Sequence, residues 1–190
     1  MVTSPPYWGL RAYLEEQHPL KGLEIGAEPS PEAYVQPMVE VFREVWRVLR
    51  DDGTCWLNLG DAFDSGQQFL IPSLVGLALR ADGWFLVQKI IWHSPNKMPE
   101  STQRRCSKSY EEIFLLAKGG DYYYDNVAIQ EPAKYPNDKR RPLGSKGAWR
   151  MDGRGQGENG GGKPYDHDTT HKNKRDVWIV PVLTEHKDGT

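Results

Sequence analysis

Near the start of the chain, Thr3-Ser4-Pro5-Pro6-Tyr7-Trp8 gathers a hydroxyl, a rigidly aimed carbonyl and an aromatic ring into four consecutive residues, Ser4 to Tyr7. Two adjacent prolines remove two backbone donors and hold the chain extended. Ser4 then offers one hydrogen-bond acceptor and the Pro5 carbonyl a second, while Tyr7 supplies a flat face. Two acceptors and a stacking surface suit an exocyclic amino group on a base taken out of its helix. The same residues also describe an ordinary diproline turn with a packing aromatic.

The elements around this corner follow from periodicity. Met1-Val2-Thr3 reads as the end of a strand, so the corner falls at a sheet's C-terminal edge, where open α/β sheets bind ligands. The residues from Gly9 to Pro29 read as loop with a short helical turn. A helix follows, capped by Ser30 with Pro31 in its first turn. Its apolar face is Val35, Met38, Val39, Phe42, Val45, Trp46 and Leu49. Asp51-Asp52-Gly53 ends it. Thr54 to Leu59 is a strand, Phe69 to Ala81 a second helix, and Trp84 to Trp92 a strand. Glu112 to Leu116 is another strand, expected to pair with Tyr122 to Tyr124 across Lys118-Gly119-Gly120. The alternation of helix and strand indicates an α/β sheet domain.

From Ala133 to Lys174 the periodicity fails. Eight glycines fall between Gly144 and Gly162. Ala133 to Arg175 holds eleven Lys or Arg against five Asp or Glu, although the whole chain has a net charge of −2. That concentration suits either a phosphate-contacting surface or a solvated basic loop. Within it Arg140, Arg141, Arg150 and Arg154 are candidate DNA-binding residues, with Trp149 as a packing partner. Gly155, Gly157 and Gly160 form a literal G-x-G-x-x-G, but no apolar strand precedes it and Gly161-Gly162-Lys163-Pro164 cannot start a helix. Asp166, His167 and His171 lack a fourth ligand, so no metal is expected. Val177 to Val182 resumes as a strand-like run.

Composition narrows the class. With 38% apolar and 26% charged residues the chain suits one globular domain. No apolar run reaches the length of a membrane span, and no basic-then-apolar leader opens the sequence. Cys55 and Cys106 are too few for a disulfide framework, so the expected setting is a reducing cytoplasm. Trp46 and Trp56 read as core, and so does Cys55.

Taken in order, these segments resemble the amino-methylating DNA methyltransferases in their permuted (β-class) arrangement, where the catalytic motif precedes the cofactor motif. Thr3 to Tyr13 resembles the catalytic loop. Leu57-Asn58-Leu59-Gly60-Asp61, Ile90 to Glu100, Tyr110 to Leu116, Tyr122 to Asp125 and Lys174 to Trp178 resemble successive later segments. The resemblance implies a partial Rossmann-like S-adenosylmethionine-dependent methyltransferase fold with a basic loop insert. It also implies methyl transfer from S-adenosyl-L-methionine to an amino nitrogen, with Ser4, Pro5, Pro6 and Tyr7 as the catalytic residues. Ser in the first motif position leans toward cytosine N4, with adenine N6 as the alternative. Double-stranded DNA is the implied partner, and a cognate restriction endonuclease a further one. Asp61 either contacts base or cofactor or caps a helix.

Three departures stand beside the resemblance. The Phe-x-Gly-x-Gly turn of the cofactor motif does not occur after Trp178, and Gln88 and Ser94 replace commonly basic residues. The expectation is therefore a fragment with its cofactor-side strands missing: residues 1–132 a partial catalytic core, 133–175 a basic Gly-rich target-recognition insert, and 176–190 a return strand and tail. A catalytically inactive DNA-binding remnant is the alternative from another class.

Overall fold

The computed structural model of the chain describes residues 1–134 and 170–181. Two compact units are present: Met1–Tyr124 with Arg175–Thr190, and Asp125–Lys174.

The larger unit is a mixed sheet with two helices. Its strands are β1 (Val2–Thr3), β2 (Thr54–Leu59), β5 (Phe85–His93), β6 (Tyr110–Ala117) and β9 (Val177–Ile179), in the order β1-β2-β6-β5-β9. β1 runs parallel to β2 and β9 parallel to β5, while β6 is antiparallel to both of its neighbours. A short hairpin, β3 (Phe63–Asp64) and β4 (Gln67–Gln68), follows β2. Its two-residue loop has φ of 50° at Ser65 and 87° at Gly66, the left-handed pair that matches strand twist.

Helix α1 (Pro31–Val48) starts where Ser30 Oγ accepts the Ala33 amide at 3.2 Å. Pro37 lies inside this helix, a placement that costs about 3 kcal/mol in isolation. The helix runs through it because Tyr34, Met38, Val39 and Phe42 are buried against the sheet. Tyr34, outside the predicted apolar stripe, is fully buried. Helix α2 (Ile71–Ala81) packs beside α1. Arg43 of α1 forks onto Asp82 after α2, with Nη2 2.5 Å from Oδ1.

The core joins Tyr34, Met38 and Phe42 to Cys55, Leu57 and Leu59 of β2, to Phe114 and Leu116 of β6, and to Ile71, Val75 and Leu79 of α2. Trp84 closes one end, edge-on to Phe42 and Trp46 at 6.2 and 5.0 Å between ring centroids. Among the described residues no helix is long and apolar enough to cross a membrane.

Two expectations need correction. Tyr122–Tyr124 is not a strand on β6, because both edges of β6 are already paired, to β2 and to β5. The Tyr123 amide instead donates to the Asp52 carbonyl at 2.8 Å, and the Tyr124 ring stacks on Trp56. Trp56 is not part of the core between sheet and helices. The alternation of β2 sends it to the opposite face, between Tyr124 and Trp178.

In the smaller unit, β7 (Glu131–Pro132) pairs antiparallel with β8 (His171–Lys172). Glu131 sits 3.4 Å from the ammonium groups of both Lys172 and Lys174. Thr170 Oγ1 and His171 Nδ1 are 2.8 Å apart.

Candidate active site

The Ser4-Pro5-Pro6-Tyr7 corner leaves the sheet directly after β1, whose Thr3 is in register with Leu57. It is held from behind at several points. The buried Tyr34 hydroxyl donates to the Pro6 carbonyl at 2.8 Å, and burial pushes that phenol well above its ordinary range, so it keeps the proton it donates. Trp8 Nε1 donates to the Glu28 carbonyl at 2.9 Å, and the Trp8 ring meets Phe69 edge-on. The Gly9 amide donates to the Gly26 carbonyl at 2.8 Å. Gly26 has a φ of 100°, and a Cβ there would stand 3.0 Å from the Tyr7 carbonyl oxygen, so glycine alone lets the two loops meet.

Tyr7 is half-buried and its ring lies against Gly60, where a Cβ would fall 2.6 Å from ring atom Cε2. Its hydroxyl is the centre of a polar cluster. It donates to Glu111 Oε2 at 2.8 Å, and it accepts from Asn58 Nδ2 at 2.8 Å and from Ser4 Oγ at 3.1 Å. Asn58 Nδ2 also donates to Glu111 Oε2 at 2.8 Å. Burial raises the Tyr7 phenol far above its ordinary value; the carboxylate of Glu111 adds to this, and the Ser4 and Asn58 hydrogen bonds oppose it. Lys97 Nζ lies 3.8 Å from Glu111 Oε1. Asn58 Oδ1 is buried with no hydrogen-bond partner among the described residues. Ser4 itself is exposed, so the corner faces solvent.

Asp61 adjoins this cluster as a helix cap. Its Oδ1 accepts from the amides of Ala62 and Ile71, both at 2.9 Å, and its Oδ2 from Gln68 Nε2 at 2.6 Å. Ile71 opens α2, and Leu70 before it is in the left-handed region with a φ of 57° and no capping side chain, so Asp61 supplies the cap from a distance. The Asp61 carbonyl accepts from Lys108 Nζ at 2.8 Å. Burial, and the nearby charge of Lys97, lower the Lys108 ammonium from its ordinary value.

Ser4, Pro5, Pro6 and Tyr7 thus come together with Asn58 and Glu111, two residues to which sequence reasoning gave no role. The signal for them was faint. Asn58 is a polar residue inside an apolar strand, and Glu111 is the second residue of β6. Arg140, Arg141, Arg150 and Arg154 lie outside the described residues, as do Trp149, Asp166, His167 and the glycines at 155, 157 and 160.

A family model described as DNA methylase, covering the N6/N4 methyltransferases, matches residues 1–189. Among curated proteins, the chain is 41% identical over 170 residues to the type II methyltransferase M.SmaI of Serratia marcescens, covering 74% of this chain and 56% of that one. It is 34% identical over 175 residues to M.SfiI of Streptomyces fimbriatus, covering 83% and 40%. The chain therefore spans about half the length of the curated relatives it matches. A solved structure titled PvuII DNA methyltransferase (cytosine-N4-specific) superposes with a TM-score of 0.52 at 18% identity, covering 67% of this chain and 45% of that one. At that identity the likeness concerns the fold.

Proposed function

The chain belongs to the N6/N4 DNA methylase family, and from that premise we propose that it carries the amino-group side of a site-specific DNA methylation, with cytosine N4 as the favoured target. The observation that carries this reading is the exposed Ser4 beside Pro5, at a corner tied down by Tyr34, Gly26 and Gly60.

The base's two N–H bonds would be accepted by Ser4 Oγ and the Pro5 carbonyl. Such acceptance orients the nitrogen and stabilises the positive charge that grows on it as it is alkylated. Tyr7 fixes Ser4 from behind through its hydroxyl. No covalent bond to the protein is needed.

S-adenosyl-L-methionine, when bound, supplies a methyl group on a sulfonium. The residues around Ser4 suit such a cation: the carboxylate of Glu111 lies two hydrogen bonds behind Ser4, and the buried Asn58 Oδ1 has no partner among the described residues. Glu111 is the residue of this cluster whose charge would offset that of the sulfonium, with Asn58 Oδ1 as a further acceptor. Asp61 caps the start of α2 with its carboxylate.

Support for cytosine is Ser4 in the first motif position; adenine N6 asks for the same two acceptors. The arginines between Ala133 and Arg175 are the proposed contacts to double-stranded DNA in the cytoplasm, within a restriction–modification or phage-protective system that pairs the chain with an endonuclease. The proposed arrangement is the permuted one, catalytic motif first. A second reading, DNA binding without turnover, is favoured by that basic segment taken alone.

The test is to incubate the chain with duplex DNA and methyl-labelled S-adenosylmethionine, digest to nucleosides and identify the labelled base. Labelled N4-methylcytosine is the expected product, and N6-methyladenine transfers the same chemistry to the other base. DNA binding with steep salt dependence and no labelled base would favour the second reading.

A further inference from the structure

Counting donors and acceptors around Tyr7 gives a result that the tetrapeptide alone does not contain. An ionised carboxylate only accepts, so the single Tyr7 hydroxyl proton is committed to Glu111 Oε2 at 2.8 Å. Asn58 presents its amide nitrogen to both the Tyr7 oxygen and Glu111, because its carbonyl oxygen would face a carboxylate in that place. The Tyr7 oxygen is then purely an acceptor toward Ser4. The Ser4 hydroxyl, 3.1 Å away, must turn its proton inward to Tyr7. What Ser4 shows to solvent is lone pairs.

We propose that Glu111 is a positioning residue that acts through Tyr7 to make Ser4 a hydrogen-bond acceptor and never a donor, so that the site admits a base bearing an amino group and refuses one bearing a carbonyl at the same position. The inference rests on the reading of Ser4 as the amino-group acceptor and adds a cause to it. A serine hydroxyl by itself is indifferent, since it rotates to donate or accept. Here a carboxylate 107 positions later in the chain removes that freedom through two fixed hydrogen bonds. Cytosine and uracil differ at this point in just that sense, one offering N–H and the other an oxygen.

Asn58 serves the same end. It donates to both partners at 2.8 Å and so holds Glu111 and the Tyr7 oxygen together.

The test uses the full chain and two single-stranded probes, twelve-nucleotide oligo(dC) and oligo(dU), whose bases need no flipping. Affinities are measured at pH 8 for the wild type, Glu111→Leu and Tyr7→Phe. Chain carrying ring-labelled tyrosine reports the Tyr7 carbon that bears the hydroxyl, its signal assigned by loss in Tyr7→Phe. The wild type should prefer oligo(dC) by about tenfold, the scale of one or two net hydrogen bonds. In Glu111→Leu, which removes the acceptor, the ratio should fall to about twofold or less and the Tyr7 signal should move. Tyr7→Phe deletes only the oxygen through which Glu111 acts, should show the same collapse, and decides the matter where Glu111→Leu does not fold. A merely structural role would weaken both probes alike and leave the ratio intact. A wild-type ratio retained in both variants overturns the relay while leaving Ser4 as acceptor. A wild type with no preference overturns the acceptor reading itself, and the relay with it.

Discussion

The two faces of β2 behave as different materials. On one face Cys55, Leu57 and Leu59 are fully buried among apolar side chains of α1, α2 and β6. On the other, Asn58 joins Tyr7, Ser4 and Glu111 in a half-buried polar cluster that opens to solvent. The alternation of a strand is enough to separate these roles, because neighbouring side chains point to opposite faces. The apolar face therefore governs whether the sheet exists, and the polar face governs what its edge can bind. Substitutions on the two faces should be separable in their effects.

Leu57→Ala tests the apolar face and should have the largest effect, a loss of about 2–5 kcal/mol of stability in denaturant unfolding, from lost burial and the cavity left behind. Gly60→Ala probes the border between the faces. Its Cβ would stand 2.6 Å from the Tyr7 ring, so the ring must shift. The expected cost is about 1–3 kcal/mol, with a displaced Tyr7 resonance as the sign that strain fell on the site. Ser30→Ala removes the α1 cap and should cost about 1 kcal/mol while leaving any site readout unchanged.

The cysteines sharpen the contrast with the smallest perturbation. Burial pushes the Cys55 thiol up to about 11, while Cys106 is exposed. A thiol reagent at pH 8 should modify Cys106 and spare Cys55 in the native chain; two fast equivalents would contradict the buried assignment. Unfolded, Cys55 gives up its proton near 9.0, but folded it keeps it to about 11. The unfolded chain therefore binds fewer protons in that window, and stability should fall as pH rises through it.

Local rules carried much of the fold into view. Ser30 and Pro31 marked the start of α1, Asp51 to Gly53 its end, and β2 falls on Thr54–Leu59 as its apolar run suggested. Nonlocal facts stayed hidden. Whether Tyr122–Tyr124 could pair with β6 depended on both edges of β6 being taken, which no local pattern states. Tyr34 lay beside the predicted stripe, and its burial follows from the Pro6 carbonyl that its hydroxyl meets. The site shows the same division. Ser4 to Tyr7 are contiguous and legible, but Glu111 reaches Tyr7 across 104 positions, and only β6 pairing with β2 brings it there. Asp61 read as a base or cofactor contact or, more simply, as a helix cap, and its side chain does cap α2 at Ile71.

The central claim is that Ser4 meets the reacting amino group. Its most direct measurement is the rate of labelled methyl transfer to DNA by Ser4→Ala against the wild type, with unfolding midpoint and DNA affinity recorded for both. Ser4 is exposed and makes no core contact, so the midpoint should match while the rate falls about 100-fold. Equal and measurable rates in the two proteins would place the chemistry elsewhere.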